Sequence, residues 1–494
     1  MKQGVMRELN RSSKAPSAQG WRKGVLPLLV SVALLGTDAM HSEVKAEALS
    51  PETVARIDAI IANRMEAAPF PGLAIAIERK GEVVYAKGFG KADLEQDVPV
   101  TVDTVFPIGS ITKSFTGLAL AQLVVDGKVS IEETAGHYLP DLPEPARSVK
   151  VRNLLNHTGG LVNYTDLPEF PYNARKEFTR EEMVGYFASK PLMFKPGTAW
   201  SYSNSGTYLV GLIIEKVSGV TYDEYVRTHI LEPFGMSKSL YSDWTRLIPN
   251  RAHGYKKGKN GWQNALQYDP TVPFSAGAIM STVGDLLKYR RGVFASDKTS
   301  QAVRDVILKH DKLADGTEIM YTLGCLGETR FEGHRKIAHA GDIYGFSANY
   351  AYYPDDDLVI VITTNNQGGA FPPLSVEQKI AREMLGVPQP VVKSLPVPAD
   401  LAANVSGDYY FAPYRFGPEV HGFSFKDGQL YLNFGGTKSG GPALPLLYQG
   451  AGRFVSVVDD EHNVVFKPGK RGKPATLTMQ YYGGTFSAQQ VDAK

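Results

Sequence analysis

A serine and a lysine at the start of an apolar segment are the side chains best suited to chemistry in this sequence. Ser110 and Lys113 lie in the run Ser-Ile-Thr-Lys, and the apolar residues that continue to Val125 predict a buried helix. Side chains three positions apart share a helix face, so the hydroxyl and the amine are expected to meet. A serine becomes a nucleophile when a base takes its proton, and a lysine does this only in its neutral form. The pair predicts a nucleophilic Ser110 activated by Lys113.

The assignment of Lys113 as a base depends on its pKa. An unperturbed lysine has a pKa of about 10.4, and burial would have to lower it by roughly three units for the amine to act near pH 7. The N-terminus of the helix would favour the negative charge that develops on Ser110. Taken alone, the motif also occurs by chance as a capping serine followed by a surface lysine. The pair therefore needs partners elsewhere in the chain.

A tyrosine and an asparagine form a second candidate group. Tyr202 and Asn204 follow a Pro-Gly loop at 196–197 and precede an apolar segment, Thr207 to Val217, that predicts a helix. The tyrosine hydroxyl could pass a proton to a leaving group, and the asparagine amide could orient a substrate carbonyl or the lysine. The alternative is a half-buried aromatic residue beside a turn asparagine.

The third candidate group is His339-Ala-Gly341, which lies at the end of one predicted strand and just before another. A small residue and a glycine would let a substrate backbone lie along the edge of that strand. The backbone amides of Ser110 and Asp342 are then expected to form an oxyanion hole. His339 alone would be interpreted as a structural histidine.

These three groups, in this order and at this spacing, resemble the motifs of the serine β-lactamase and DD-peptidase (penicillin-binding protein) superfamily. The pattern is most similar to class C β-lactamases, D-aminopeptidases and related esterases, and the sequence Leu-Leu-Asn-His-Thr-Gly-Gly-Leu at 154–161 resembles a loop common in that group. The similarity covers roughly 51–386. The resemblance implies an acyl-enzyme on Ser110, Lys113 as base and Tyr202 in proton transfer. It also implies that Asn204, His339 and Gly341 place the substrate.

One departure from the family narrows the expected substrate. The third motif begins with His339, whereas class C β-lactamases usually have a lysine there. A histidine is mostly neutral at pH 7, so it offers a substrate carboxylate a weaker charge. Efficient β-lactam hydrolysis is therefore less expected than hydrolysis of an ester, a D-amino-acid amide or a peptide. A class C-like β-lactamase and a non-catalytic penicillin-binding or sensing protein remain as alternatives.

Two further matches to catalytic patterns are rejected. Lys438-Ser-Gly440 resembles the lysine form of the third motif, but glycines flank it in the C-terminal β segment, which predicts a turn. His157 is a possible base for a catalytic triad. Since Lys113 can fill that role, His157 is expected to cap or pack a loop.

The composition describes a soluble globular protein without a charge excess. The chain has 494 residues, with 53 basic against 51 acidic residues and a hydrophobic fraction of 43%. Without an excess of positive charge, nucleic acid is not an expected partner. The expected partner is a small-molecule or peptide substrate, and peptides derived from a cell wall are among the candidates. Cys325 is the single cysteine, so no intramolecular disulfide or thiolate cluster is expected. No metal and no cofactor are predicted, and the oligomeric state is left open.

The N-terminal 48 residues resemble a leader. Arg22 and Lys23 precede an apolar run from Val25 to Gly36, and small residues follow. The apolar run is short for a membrane span, and no cysteine follows it for lipid attachment. We therefore expect a signal peptide at 1–48 and an exported protein, periplasmic or secreted, without a stable membrane anchor. The alternative is a disordered leader with an apolar patch.

The next 339 positions, 49–387, predict the α+β hydrolase domain, an antiparallel sheet flanked by helices with a large helical insertion. A helix is predicted at Glu52–Met65, then a hairpin at 72–78 and 82–87. The middle region, 151–289, favours helices and polar loops, with a capping box at Thr221 and Glu224. Strands are expected to return only near Lys336, at 336–339, 345–353 and 358–364, with a turn at Gly341. A helix at 375–385 follows.

Prolines at 388–400 indicate a semi-rigid linker. Beyond it, 401–494 contains short aromatic-rich strands broken by glycine turns, which predict a small antiparallel β-barrel-like domain. This domain resembles the lipocalin-like appendages of some related hydrolases. A cap over the active site and a carbohydrate-binding surface are both possible roles for it.

Overall fold

The computed structural model describes residues 48–367, 372–411, 414–415, 420–439, 443–457, 463–469, 474–481 and 484–491. The predicted signal peptide lies outside these residues, apart from Ala48. Residues Lys45–Lys494 belong to one compact unit. In the part of the chain that is described, no helix combines the length and the apolar character needed to cross a membrane.

Several helices follow one another without a strand between them, most of all between residues 112 and 187. The helices are α1 (Pro51–Ala67), α2 (Thr112–Val125), α3 (Ala135–Tyr138), α4 (Val151–Leu155), α5 (Phe170–Asn173), α6 (Arg180–Phe187), α7 (Asn204–Ser218), α8 (Tyr222–Val226), α9 (Phe274–Gly277), α10 (Val283–Phe294), α11 (Gln301–Ile307), α12 (Pro372–Leu385) and α13 (Ala399–Val405). A 3-10 turn, Gly109–Ile111, leads directly into α2.

The strands of the hydrolase region, in chain order, are β1 (Gly72–Arg79), β2 (Glu82–Asp93), β3 (Val98–Pro99), β4 (Phe106–Pro107), β5 (Trp200–Ser201), β6 (Leu240–Tyr241), β7 (Tyr255–Gly258), β8 (Gly261–Asn264), β9 (Ile279–Ser281), β10 (Gly327–Phe331), β11 (His334–Ile343), β12 (Phe346–Tyr353), β13 (Leu358–Thr364) and β14 (Asn366–Gln367). Seven of them form an antiparallel sheet in the order β10-β11-β12-β13-β1-β2-β3. N-terminal strands therefore lie beside strands that come almost 300 residues later, with the helical region inserted between them.

Both faces of this sheet are covered by helices, because the strands are apolar on both sides. On one face, Ile57 of α1 and Ile380 of α12 pack with Ile75 and Ile360 of the central strands. On the other face, Phe115 of α2 belongs to the larger core, which also holds Val361. The sheet thus fixes α2, and with it the serine-lysine pair, against the inner face.

The predicted fold class is confirmed, and several elements match closely. Helix α1 contains the predicted segment Glu52–Met65 and begins after Ser50, whose side chain accepts a hydrogen bond from the Thr53 amide. Hairpin β1–β2 and strand β13 lie where they were expected. The helix after the serine begins as the 3-10 turn and becomes α2 at Thr112.

Three local predictions are wrong. Thr221 precedes α8 but its side chain forms no capping hydrogen bond, and the amide of Tyr222, the first residue of α8, donates to Glu215 of α7. Strand β11 does not turn at Gly341 but continues to Ile343, and the turn is formed by Tyr344 and Gly345. Strands also return before Lys336. They are the short strands β5 to β9 in the middle region, where β7 and β8 form a hairpin, and strand β10.

The C-terminal region is a closed antiparallel barrel, as the short aromatic-rich strands predicted. Its strands are β15 (Gly407–Phe411), β17 (Val420–Lys426), β18 (Gln429–Phe434), β19 (Ala443–Gly450), β20 (Arg453–Ser456), β21 (Asn463–Lys467), β22 (Thr476–Tyr481) and β23 (Gly484–Val491), while β16 (Tyr414–Arg415) lies outside the barrel. Tyr409, Phe423, Phe454 and Phe466 contact one another inside it. The domain boundaries given above, 49–387, 388–400 and 401–494, stay predictions.

One strand pairing joins the barrel region to the hydrolase region. Strand β16 pairs in parallel with β5, with Tyr414 opposite Trp200 and Arg415 opposite Ser201. Strand β5 ends one residue before Tyr202. The main chain of the barrel region therefore supports the segment that carries the second motif.

Candidate active site

Ser110 and Lys113 meet at the N-terminal end of α2. The Lys113 Nζ lies 3.1 Å from the Ser110 Oγ, 2.7 Å from the Asn204 Oδ1 and 2.7 Å from the Ala276 carbonyl oxygen. A neutral amine has two hydrogens and one lone pair. If the hydrogens are donated to Asn204 and Ala276, the lone pair is left for the Ser110 hydroxyl proton. In this arrangement the Lys113 amine could act as a base toward the Ser110 hydroxyl.

Burial gives Lys113 the protonation state that this role needs. Its side chain is 0% exposed. The loss of solvation lowers the pKa of Lys113 to about 7. A large fraction of the amine is therefore neutral at pH 7.

Tyr202, the residue after β5, lies over the pair. The Lys113 Nζ lies 4.9 Å from the centre of the Tyr202 ring. Burial raises the pKa of Tyr202, and a contact with Ser110 opposes this rise without overcoming it. The phenol consequently keeps its proton at neutral pH, so it can donate that proton but does not start as a base.

Asn204 is the first residue of α7, and two side chains fix its orientation. Its backbone amide and its Nδ2 donate to the Asn163 Oδ1 at 3.0 and 3.2 Å, and the Nδ2 also donates to the Thr165 Oγ1 at 3.2 Å. The Oδ1 must then face Lys113. Asn163 and Thr165 were not predicted from the sequence, although Asn163 lies two residues after the His-Thr-Gly-Gly-Leu run.

Strand β11 presents an open edge to the nucleophile. Strand β10 pairs only with the first half of β11, His334 to Ala338, so 339–343 have β12 on one side and no strand on the other. The two-residue turn makes Ile343 and Phe346 the closing pair of the hairpin. Hydrogen bonding alternates along such a pair, which directs the N–H and C=O of Asp342 to the open edge.

Two glycines let this edge approach Ser110. A Cβ on Gly341 would lie 1.9 Å from the Ile108 carbonyl oxygen, and a Cβ on Gly109 would lie 2.8 Å from the Asp342 amide nitrogen. Gly109 also has a φ of +50°, which favours glycine. The Asp342 amide is therefore beside the turn that carries the Ser110 amide, as an oxyanion hole requires.

His339 lies behind this edge. The Tyr321 hydroxyl lies 2.6 Å from its Nε2, and its Nδ1 lies 2.5 Å from the Ala340 carbonyl oxygen. A carbonyl oxygen only accepts, so Nδ1 carries the proton and Nε2 accepts from Tyr321. Burial, assisted by the charge of Lys113, lowers the pKa of His339 to about 3. His339 is neutral, and its ring supports the end of β11 through Tyr321.

The two rejected matches lie outside this hydrogen-bonded group. The Nδ1 of His157 accepts from the Ser203 amide at 3.3 Å, and the ring packs 4.4 Å from that of Tyr202. Lys438 and Ser439 are exposed in a turn after β18 of the barrel. Within the described ranges, no three His, Cys, Asp or Glu side chains are placed to hold a metal ion together.

Comparisons with known proteins agree with this geometry. A family model described as Beta-lactamase matches residues 57–382. A penicillin-binding protein of Bacillus subtilis (strain 168) is 28% identical over 301 residues, which are 58% of this chain and 66% of the relative. A D-aminopeptidase of Gluconobacter oxydans (strain 621H) is 26% identical over 309 residues, 61% of this chain and 57% of the relative. The chain spans about half to two thirds of the length of the curated relatives it matches.

A solved structure extends the match into the barrel. The octameric penicillin-binding protein homologue from Pyrococcus abyssi superposes with a TM-score of 0.63 at 25% identity, covering 88% of this chain and 100% of that one. The fold and the arrangement of the residues around Ser110 agree with these matches. The chain belongs to the Beta-lactamase family, in the superfamily of serine β-lactamases and DD-peptidases.

Proposed function

We propose that Ser110 hydrolyses an ester, a D-amino-acid amide or a peptide through an acyl-enzyme, as an esterase, D-aminopeptidase or DD-peptidase does. The observation that carries the proposal is the buried Lys113 amine, 3.1 Å from the Ser110 hydroxyl and held by two acceptors. The similarity to a D-aminopeptidase and to a penicillin-binding protein supports an amide substrate.

The acylation step uses each member of the site once. Neutral Lys113 takes the Ser110 proton while the Oγ forms a bond to the substrate carbonyl carbon. The amides of Ser110 and Asp342 hold the resulting oxyanion, where one donor is typically worth a factor of about 100 to 1,000 in rate. When the bond between the carbonyl carbon and the leaving amine or alcohol breaks, Tyr202 donates its proton to that leaving group. The proton held by Lys113 then passes to Tyr202 and restores the phenol.

Deacylation reverses the roles with water as the nucleophile. Water adds its hydroxyl to the acyl carbon, and its remaining proton passes through the base to the departing Ser110 Oγ. The products are a carboxylic acid and the free serine. Asn204 keeps the amine of Lys113 aligned through both steps.

A hydrolysis panel tests the proposal. Short acyl esters, D-alanyl and L-alanyl amides and a chromogenic cephalosporin are incubated with wild type and Ser110→Ala. We expect hydrolysis of esters or amides that Ser110→Ala loses. Rapid turnover of the cephalosporin alone would favour a β-lactamase, and wild type that is inactive on the whole panel and binds penicillin reversibly would favour a non-catalytic protein.

We also propose that the protein is exported, periplasmic or secreted, on the basis of the basic and apolar segment at 22–36. Expression in a bacterial host with fractionation and N-terminal mass analysis tests this. The expected product lies outside the cytoplasm and begins near residue 49. Uncleaved protein confined to the cytoplasm would contradict it.

A further inference from the structure

A carboxylate without a cationic partner lies on the strand edge next to the nucleophile. Asp342 directly follows Gly341 on β11 and is exposed. Its Oδ1 accepts a hydrogen bond of 3.1 Å from the Ser347 Oγ, which fixes the side chain across the β11–β12 pair. Among the described residues no salt bridge to Asp342 is formed, and the side chain is exposed to solvent.

The position of Asp342 relative to the reacting carbonyl is set by its own main chain. Its amide nitrogen lies beside Gly109, one residue before Ser110, and supplies the second donor to the oxyanion. The carboxylate is attached to that same residue. In an amino-acid amide, the α-ammonium group is two bonds from the carbonyl carbon. A substrate whose carbonyl oxygen is held by the Asp342 amide therefore brings its ammonium group close to the Asp342 side chain.

Aromatic side chains border the same place. Tyr268 and Tyr344 stack with ring centres 4.4 Å apart, and Tyr344 follows Asp342 by two residues. Burial raises the pKa of Tyr268, and the negative charge of Asp342 adds to this rise. The Trp244 Nε1 donates to the Tyr268 carbonyl at 2.7 Å and holds this wall in place. A carboxylate beside aromatic faces is the environment that an ammonium group prefers.

A cleft lies against this wall. Its lining includes Tyr268, Tyr344, Pro107 and Gly277. Pro107 lies three residues before Ser110, and Gly277 follows the Ala276 carbonyl that accepts from Lys113. The aromatic wall and the segments that lead to Ser110 and Ala276 therefore border the same cleft.

We propose that the Asp342 carboxylate binds the free α-ammonium group of the substrate, so that the enzyme acts on amides or esters of amino acids whose amino group is unblocked. The inference rests on the proposed function, since it names the acyl group that Ser110 accepts. N-acylated amino acids carry no positive charge at this position and would leave the carboxylate unpaired, so we expect them to be hydrolysed more slowly.

The protonation behaviour of Asp342 is consistent with a missing cation. The protein atoms packed around the carboxylate raise its pKa to about 7, and the hydrogen bond from Ser347 opposes the rise only in part. A bound ammonium group would supply the positive charge that the described surroundings lack, and it would lower this pKa.

Matched pairs of substrates test the inference. The p-nitroanilides and p-nitrophenyl esters of D-alanine and L-alanine are compared with their N-acetyl forms, with wild type and Asp342→Asn. The variant keeps the backbone amide, so the oxyanion hole is retained. We expect wild type to prefer the free-ammonium member of a pair. Asp342→Asn should lower its kcat/KM by about tenfold or more, mainly through KM, and change the N-acetyl member by less than about threefold.

A control variant separates binding from general effects of charge. Asp355→Asn removes a carboxylate from the exposed turn at the opposite end of β12 and should leave both substrates unchanged. Wild type without a preference for free ammonium overturns the inference, as does an equal loss on both members of a pair in Asp342→Asn. If neither wild-type hydrolysis nor Ser110 labelling is found on any ester or amide, the proposed function itself fails, and the inference fails with it.

Discussion

Gly341 packs so closely on the Ile108 carbonyl that a Cβ at position 341 would lie 1.9 Å from that oxygen. The contact sets how near the open edge of β11 comes to Ser110. It also explains why this strand carries a glycine in its interior, where glycine otherwise costs stability.

Gly341→Ala should separate β11 from the nucleophile turn. We expect a fall in kcat of about 100-fold or more, because the Asp342 amide no longer reaches the oxyanion. Ester hydrolysis by purified variants measures the effect. Gly327→Ala is the matched control on the neighbouring strand, since its Cβ would meet only the Ala338 carbonyl oxygen, at 3.4 Å. A Gly341→Ala enzyme with wild-type kcat would contradict this account of the edge.

The pH dependence of acylation should follow Lys113. Because burial lowers the pKa of Lys113 to about 7 and the neutral amine is the active form, kcat/KM for a neutral ester should rise as the pH increases through about 7 and then level off. An N-acetylated ester is the suitable substrate, since it has no titrating amino group. A profile that instead falls between pH 6 and pH 8 would exclude a neutral lysine as the base.

Thr165 should influence the rate through Asn204 alone. Thr165→Val removes the acceptor for the Asn204 Nδ2 while keeping the shape of the side chain, so the asparagine is held less firmly against Lys113. We expect a fall in kcat of about three- to tenfold, as the loss of one hydrogen bond implies. Thr165→Ser keeps the hydroxyl and should recover most of the rate. Equal losses in both variants would indicate a packing effect instead.

Tyr321 should contribute mainly to stability. Tyr321→Phe leaves the buried Nε2 of His339 without its donor, which should lower the free energy of unfolding by about 1 to 3 kcal/mol. Urea unfolding at neutral pH measures it. Tyr186→Phe, which keeps its packing against Phe178, should stay within about 0.5 kcal/mol of wild type. If the two variants unfold alike, the Tyr321–His339 hydrogen bond is not a significant support of β11.

Candidate site residues could be predicted from the sequence where residue type and spacing indicate a chemical role. Ser110 and Lys113 are three residues apart, and the helix that joins them is encoded by the apolar run after them. Asn163 was missed because its role depends on a contact with Asn204, 41 positions away in the sequence. No local sequence pattern predicts such a contact. Tyr321, 18 positions before its partner His339, was missed for the same reason.

The incorrect prediction of a turn at Gly341 also has a physical cause. A glycine inside an apolar stretch is a frequent turn signal, but here it allows a close contact between a strand and a helix start. A tertiary contact decides the outcome at Gly341, and a local pattern does not contain it. The structure offers no such reason for the missing Thr221 cap, although the neighbouring Tyr222 amide does find an acceptor in Glu215 of the preceding helix.

Covalent labelling of Ser110 tests the central claim most directly. Wild type, Ser110→Ala and Ser114→Ala are incubated with a serine-reactive phosphonate, and the modified peptide is identified by mass spectrometry. Ser114 is buried in α2 one turn further on and provides the matched serine control. The account predicts a single label on Ser110 in wild type and Ser114→Ala, and none in Ser110→Ala. Labelling of Ser110→Ala as strong as that of wild type would contradict it.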